Sequence, residues 1–197
     1  PAGVRRWFDD IDEAAVAGIV RAARDQGRGQ LTLVEAQQVL EHAGITVLPW
    51  REAQTRDEAV AAAGALGYPV VAKISSAIIV HKSEVGGVRV GLESEAQVAL
   101  AFDEMMAAAR ARDEHASLVV QRQATHGTEV ILGATRDAKF GPLLMFGLGG
   151  IFVEVMKDVV FRVHPLSDAD AREMIRAVKS FPLLDGARGR PRADLAA

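Results

Sequence analysis

The sequence predicts an α+β fold with an antiparallel pair of strands in each half. Residues 70–74 and 88–92 are apolar runs separated by a polar, glycine-containing loop, and residues 129–135 and 142–146 are separated by a short turn. Helix-capping signatures flank these runs. With 197 residues, 49% of them apolar, the chain can bury a substantial core and contains one large domain or two small ones.

Most of the predicted helices begin at a Ser, Thr or Asp followed three residues later by Glu or Gln, which satisfies free backbone N–H groups at a helix start. These pairs are Asp10 with Glu13, Thr32 with Glu35, Thr55 with Glu58, and Ser94 with Gln97. Ser167 begins a last helix that is expected to reach about residue 180. A short apolar strand is predicted at residues 118–123, and further apolar runs occur at 151–155 and 159–163.

Composition excludes several classes of function. The chain contains no cysteine, so it has neither disulfides nor thiolate metal sites, and we expect a cytoplasmic location. A net charge of −3 gives no general attraction to nucleic acid. No apolar run approaches the ~20 residues that span a bilayer, so no membrane partner is expected. Because the chain starts at Pro1 and not at Met, we expect it to be part of a longer polypeptide.

The first strand pair carries the clearest indication of a binding site. Lys73 lies in the middle of an apolar run, and lysine is rarely buried without a partner. The following loop contains His81, Lys82, Gly86 and Gly87, and glycines allow backbone N–H groups to approach phosphate oxygens that lysine neutralises. The pattern therefore indicates a phosphate site. The alternatives are that Lys73 extends from an edge strand into solvent and that His81 is a solvated loop residue.

A second glycine cluster, GLGG at residues 147–150, lies between strand-like segments. It differs from the dinucleotide-binding fingerprint in its glycine spacing and its flanks, and such clusters are more often a bulge or a tight turn. Charged residues lie within or beside the neighbouring apolar runs, at Glu129, Glu154, Asp158 and Arg162. These side chains either face water on two-faced strands or, with Lys73 and the two glycine loops, line a cleft for polyphosphate and metal.

Three segments resemble one known family. HKSEVGGV at residues 81–88, the stretch 127–166, and LLDGARGRP at 183–191 closely resemble the nucleotide-binding β half of ADP-forming acyl-CoA synthetases, which are ATP-grasp proteins similar to the β subunit of succinyl-CoA synthetase. The resemblance implies an ATP-grasp fold, in which two α+β subdomains clasp the nucleotide between their sheets.

The resemblance also implies a domain organisation. Residues 1–29 would be a helical linker from a preceding domain, and residues 30–197 would form the ATP-grasp domain. Within that domain the smaller subdomain would span about residues 47–114 and the second about residues 115–197.

Site roles follow from the resemblance residue by residue. Lys73 matches a lysine that contacts ATP phosphates, and Val120, Gln121 and Arg122 fall where the family receives adenine. The remaining implied nucleotide contacts are Gly86, Gly87, Glu129, Gly149, Gly150 and Glu154. His81 matches a histidine that carries phosphate on its way to ADP, and Lys82 would stabilise the charge of the phosphohistidine. The magnesium ligands are not assigned, because the family supplies them from an Asn-Pro-Leu segment and a later aspartate that do not occur before Ala197.

The implied reaction is acid + CoA + ATP ⇌ acyl-CoA + ADP + phosphate, with ATP or ADP and Mg²⁺ as the cofactors of this half. CoA would bind to a separate α-type half, on the same polypeptide or on another subunit. The substrate would be a small carboxylic acid, and the full protein would be an oligomer.

Two alternatives remain open. One is a regulatory, synthetase-like module of a protein lysine acyltransferase. The other is an ATP-grasp ligase that forms an acyl phosphate without a phosphohistidine, which the HKSEVGGV motif disfavours. The synthetase interpretation is favoured over the regulatory module because the chain has all of the implied site residues Lys73, His81, Lys82, Gly86, Gly87 and Glu129.

Overall fold

The computed structural model of the chain describes residues 3–5, 8–79, 86–124, 127–150, 157–187 and 191–195, and these form two compact units. The N-terminal unit comprises residues Asp9–Ala124. The C-terminal unit comprises residues Thr125–Ala197 together with Pro1–Phe8. Both units combine helices with an antiparallel sheet, which confirms the predicted α+β class.

The N-terminal unit contains a four-stranded sheet with the order β1-β4-β2-β3. Its elements are α1 (Glu13–Asp25), α2 (Leu33–His42), β1 (Trp50–Ala53), α3 (Arg56–Leu66), β2 (Val70–Ser75), β3 (Val88–Leu92), α4 (Glu95–Arg110) and β4 (Ser117–Arg122). Every pair of neighbouring strands in this sheet is antiparallel. The predicted first strand pair therefore exists as β2 and β3, with β4 on the other side of β2.

The capping signatures locate three helices correctly and one imperfectly. Full capping boxes begin α2 at Thr32 and α3 at Thr55, and the Ser94 side chain accepts from the backbone of Gln97 at the start of α4. The start of α1 was predicted at Asp10, which is wrong. Asp12 is the N-cap and accepts from the Ala15 N–H at 2.9 Å, because its own N–H is held by the His42 carbonyl of α2 at 2.8 Å.

Strand β1 was not predicted from the sequence. Its residues, WREA, show no run of apolar side chains, and they are extended because all four pair with β4. Strand β4 in turn pairs with both β1 and β2, which makes it an interior strand of the first sheet. The N-terminal unit therefore continues to Ala124, beyond the boundary near residue 115 expected between the subdomains.

Helices α3 and α4 cover one face of the first sheet and form its main core. Fully buried side chains of this core include Val70, Ile74, Val98, Leu118 and Val120. On α2, the Val34 N–H donates to Ser75 Oγ at 3.3 Å, so α2 lies against β2. Helix α1 packs on α2 within the same unit, whereas its role as an interdomain linker stays a prediction.

The C-terminal unit contains a three-stranded sheet with the order β5-β6-β7. Its elements are β5 (Val130–Asp137), β6 (Gly141–Leu148), β7 (Val159–Val163), α5 (Asp168–Arg176) and α6 (Phe181–Leu184). The pairing of β5 with β6 confirms the predicted second hairpin. The apolar run 151–155 lies outside the described residues.

The last predicted helix is shorter than expected. It begins at Ser167 with a capping box but ends at Arg176. Beyond it, the backbone N–H groups of Lys179 and Ser180 donate to the carboxylate of Asp158 at 2.9 and 2.7 Å. These hydrogen bonds draw the chain out of the helix and into the separate turn of α6. In the described part of the chain, none of the helices is long and apolar enough to cross a membrane.

Candidate functional site

Lys73 occupies an interior position in the first sheet. Strand β2 lies between β4 and β3, so Lys73 does not extend from a sheet edge into solvent. All the remaining residues of β2 are buried, and Lys73 itself is half-buried. Its Nζ donates to Gln121 Oε1 at 2.7 Å. Burial lowers the pKa of Lys73 below its usual value, because a low-dielectric environment disfavours the charged form.

Gln121 lies near the end of β4 and is 7% exposed. The side-chain amide nitrogen of Gln121, Nε2, donates to the carbonyl oxygen of Leu48 at 3.2 Å. The neighbouring Val120 points to the opposite face and belongs to the core with α3 and α4. The backbone N–H of Arg122 donates to the Pro49 carbonyl at 2.9 Å, which holds the end of β4 beside the segment before β1.

The loop that leads to Gly86 and Gly87 starts at Ser76, which is held by several hydrogen bonds. The Ser76 hydroxyl donates to Asp113 Oδ2 at 2.6 Å and accepts from the N–H groups of Ile78 and Ile79. On the far side, the Gly87 carbonyl accepts from the Ile74 N–H at 2.9 Å. His81 and Lys82 lie between these points and outside the described residues.

Gly86 has a φ of +63°, a left-handed conformation that glycine adopts without strain. Together with the Gly87 contact on β2, this conformation places the glycine pair next to the strand that carries Lys73. The loop's described ends therefore sit on the same sheet as the candidate phosphate lysine.

In the C-terminal unit the structure brings Glu129, Gly149 and Gly150 together. The Gly149 N–H donates to the Glu129 carbonyl at 2.8 Å. A Cβ on Gly149 would lie 3.1 Å from Glu129 Cβ, and one on Gly150 would lie 2.9 Å from Glu129 Oε2. Gly150 also has a φ of +59°, so a side chain there would strain the backbone, whereas at Gly149 a Cβ would require Glu129 to shift by a small amount. Glu154 lies outside the described residues.

The other two charged positions singled out in the sequence have structural partners. Burial acts to raise the pKa of Asp158, but hydrogen bonds from Ser180 and Lys179 outweigh it and lower that pKa. Arg162 forms an ion pair with Glu173 of α5 at 3.4 Å. These contacts join β7 and the residue before it to the segments that follow.

The described residues contain no group of three or more His, Cys, Asp or Glu side chains that could hold a metal ion. Mg²⁺ is usually held by only one or two carboxylates together with substrate phosphates and water, so an ion that arrives with a nucleotide would not need such a group. The described residues are compatible with a phosphate-bearing ligand, because a half-buried ammonium lies on an interior strand of the first sheet, and Gly150 of the C-terminal unit has a left-handed backbone next to Glu129.

Comparison with known proteins identifies the family. Residues 22–197 match the sequence model of the ATP-grasp domain. The chain is 45% identical, over 174 residues, to the β subunit of the ADP-forming acetate–CoA ligase I of Pyrococcus furiosus, with 87% of this chain and 75% of that subunit covered. This chain belongs to the ATP-grasp family of ADP-forming acyl-CoA synthetase β subunits.

Solved structures of the same family agree with this membership. An acetyl-coenzyme A synthetase of Ca. Korarchaeum cryptofilum, in complex with coenzyme A and Ca-AMPCP, superposes with a TM-score of 0.84 at 43% identity, covering 90% of this chain and 79% of that one. The same enzyme with coenzyme A and Mg-AMPPCP has a phosphohistidine segment pointing towards the nucleotide-binding site and superposes with a TM-score of 0.78 at 42% identity, covering 91% and 78%.

Some members of this synthetase family are much longer. The ADP-forming acetate–CoA ligase I of Archaeoglobus fulgidus is 42% identical over 170 residues, which are 85% of this chain and a quarter of the ligase. The resemblance and the ATP-grasp fold expected from the sequence are confirmed by these matches.

Two contacts in this synthetase domain were missed from the sequence. Gln121 was assigned to the adenine segment, and its contact with Lys73 was not expected. The Ser76–Asp113 hydrogen bond was not expected either, since it joins residues 37 positions apart. No local signal in the sequence reports such contacts, because they depend on how β2 and the segment before β4 meet in the sheet.

Proposed function

We propose that the chain binds ATP or ADP as the nucleotide-binding half of an ADP-forming acyl-CoA synthetase. The reaction of the full enzyme would be acid + CoA + ATP ⇌ acyl-CoA + ADP + phosphate. The observation that carries the proposal is Lys73, a half-buried ammonium on an interior strand of a chain that belongs to this synthetase family.

The geometry of Lys73 suits phosphate binding. Phosphoryl transfer depends mainly on positioning and on neutralising the negative charge of phosphate oxygens. An ammonium that is partly removed from water attracts a phosphate more strongly than an exposed one does. No described acidic residue forms an ion pair with Lys73, so its charge is available to a ligand.

Within the C-terminal unit, the residues proposed for nucleotide binding are Glu129, Gly149 and Gly150. Because the Gly149 N–H already donates to the Glu129 carbonyl, a ligand would approach this segment at the Gly150 backbone, where no side chain intervenes. Glu129 is exposed and would accept hydrogen bonds from ligand hydroxyl or amino groups.

His81 is proposed to carry the phosphoryl group between the two halves of the enzyme. A neutral imidazole is nucleophilic, and with an ordinary pKa of about 6.5 much of a histidine is neutral at pH 7. Lys82 would stabilise the added negative charge through a charge-assisted hydrogen bond. Support comes from the HKSEVGGV motif and from the phosphohistidine segment of the related Korarchaeum synthetase.

The partners follow from the reaction. An α-type half would bind CoA, on the same polypeptide or on a second subunit, and the carboxylic acid substrate would react there. We expect the assembled enzyme to be an oligomer that acts in the cytoplasm.

A binding titration tests the nucleotide assignment. Lys73→Ala should weaken the affinity for ATP, measured by calorimetry in the presence of Mg²⁺, by about 1–3 kcal/mol, the range for losing a hydrogen bond to a charged group. Lys139→Ala is the matched control, because it removes the same charge from an exposed turn. Equal affinity in the two variants would remove Lys73 from the site.

Phosphate labelling tests the role of His81. The enzyme assembled with its α-type half would be incubated with γ-labelled ATP and Mg²⁺ and analysed under alkaline conditions, because phosphohistidine is acid-labile. His81→Ala should lose the label at this site and most acyl-CoA synthesis while still binding ATP. His115→Ala, which alters an exposed histidine, should retain both. Synthesis close to that of the wild type by His81→Ala would exclude the relay.

A further inference from the structure

Lys73 and Gln121 are diagonal neighbours on one face of the first sheet. In the register of β2 with β4, Lys73 pairs with Val119 and Gln121 pairs with Val71. Side chains two residues apart along a strand share a face, and diagonal pairs in antiparallel strands lie within reach of long side chains. The 2.7 Å contact between Nζ and Oε1 is the result.

The orientation of the Gln121 amide is determined by its two partners. Nε2 donates to the Leu48 carbonyl at 3.2 Å, and Oε1 accepts from Lys73. Rotating the amide by 180° would place Oε1 against a carbonyl oxygen and Nε2 against an ammonium, so both contacts would become repulsive. The Leu48 carbonyl thus keeps an acceptor facing Lys73.

A glutamine suits this position better than a carboxylate would. A free lysine side chain samples many rotamers, and an acceptor that already holds it removes part of the entropy cost of binding a ligand. A carboxylate would hold it as well but would compete with a phosphate for the same charge. The neutral amide restrains the ammonium and leaves its charge uncompensated.

We propose that Gln121, anchored on the Leu48 carbonyl, is a positioning residue that holds the Lys73 ammonium in place for a nucleotide phosphate. The inference rests on the proposed function, since it assigns the lysine to phosphate binding. It gives Gln121 a task that acts through Lys73, distinct from a direct contact with adenine.

A double-mutant cycle on ATP affinity tests this role. Calorimetric titration with ATP and Mg²⁺ would compare the wild type, Gln121→Met, Lys73→Met and the double variant, since methionine has nearly the shape of both side chains without their hydrogen bonds. When Lys73 is present, Gln121→Met should weaken ATP binding by about tenfold, within the range for losing a hydrogen bond to a charged group. In the Lys73→Met background the same substitution should change affinity by less than about twofold.

The outcomes separate this inference from the proposed function. If Lys73→Met weakens binding and Gln121→Met does not, the positioning role is overturned and the nucleotide assignment stands. Equal losses in both backgrounds would show that Gln121 acts independently of Lys73, which also overturns it. Absence of ATP binding by the wild type, or unchanged binding in Lys73→Met, would overturn both proposals.

A spectroscopic measurement on the nucleotide-free protein adds a test that needs no binding. A hydrogen-bonded, half-buried ammonium exchanges its protons slowly, so Lys73 should give a ¹H–¹⁵N signal for Nζ that the exposed Lys139 does not give. Gln121→Met and Gln121→Leu should abolish the signal while circular dichroism and the backbone spectrum remain those of a folded protein. A wild-type Lys73 ammonium that exchanges as fast as Lys139 would overturn the inference, even if a variant fails to fold.

Discussion

Gly147→Ala should destabilise the C-terminal sheet by a purely steric effect. A Cβ on Gly147 would lie 2.7 Å from the backbone oxygen of Asp158 and 2.9 Å from Val159 Cγ1. Both atoms belong to the β7 side of the ladder, where Gly147 pairs with Val159. The Asp158 backbone has little room to retreat, because its side chain accepts from Lys179 and Ser180.

The expected magnitude follows from two opposing terms. Overpacking costs about 1–3 kcal/mol, and the upper part of that range applies because one of the two contacts is with backbone. Alanine loses less conformational entropy on folding than glycine, which offsets about 0.5–1 kcal/mol. The net loss should be about 1–2 kcal/mol in the free energy of opening of this sheet.

Gly133→Ala is the matched control in the same sheet. A Cβ on Gly133 would lie 3.0 Å from Met145 Cε, at the flexible tip that can move away, and at an ordinary 3.8 Å from Met145 Cβ. This variant should be neutral or up to about 1 kcal/mol more stable.

Hydrogen exchange of the β6 and β7 amides measures both effects within this unit alone. Each 1.4 kcal/mol lost should speed exchange about tenfold. Equal exchange rates in the two variants would refute the argument from the close approach of β6 and β7.

Three further results are expected. Arg28 donates to both carboxylate oxygens of Glu35 at 2.7 and 2.5 Å and lowers the pKa of Glu35 to about 2. The contribution of this ion pair to the free energy of unfolding should therefore be fully present above pH 4.5 and be lost as the pH falls towards 2. Arg28→Met should flatten that acid dependence in thermal unfolding, and an unchanged profile would exclude the ion pair as its cause. Ser76→Ala should cost about 1–3 kcal/mol in chemical denaturation, because it leaves a buried carboxylate oxygen of Asp113 without its donor. Burial lowers the pKa of Lys73, so the ammonium should lose its proton, and ATP affinity should fall, at a pH below the ordinary lysine pKa of 10.5. Lys73→Arg should keep its affinity to higher pH, because arginine stays charged. A decline at the same pH in both proteins would rule out titration of this residue.

The sequence by itself determined the features that depend on residues close along the chain. The boxes at Thr32 and Thr55 and the cap at Ser167 join groups three residues apart, so they appear in the sequence and in the structure alike. The hairpin of β5 and β6 was predicted for the same reason, because one short turn joins two apolar runs. The family was identifiable because its motifs are long continuous segments.

Tertiary structure decided what depends on distant residues meeting. Strand β1 exists because of its partner β4, and β4 joins the first sheet because β2 lies beside it. The start of α1 at Asp12 depends on the His42 carbonyl of another helix. Lys73 and Gln121 are 48 positions apart in the chain, and only the register of two strands makes the amide a partner of the ammonium. Pairing between strands that are distant in the chain depends on how their faces are buried in the assembled sheet, which a local pattern does not report.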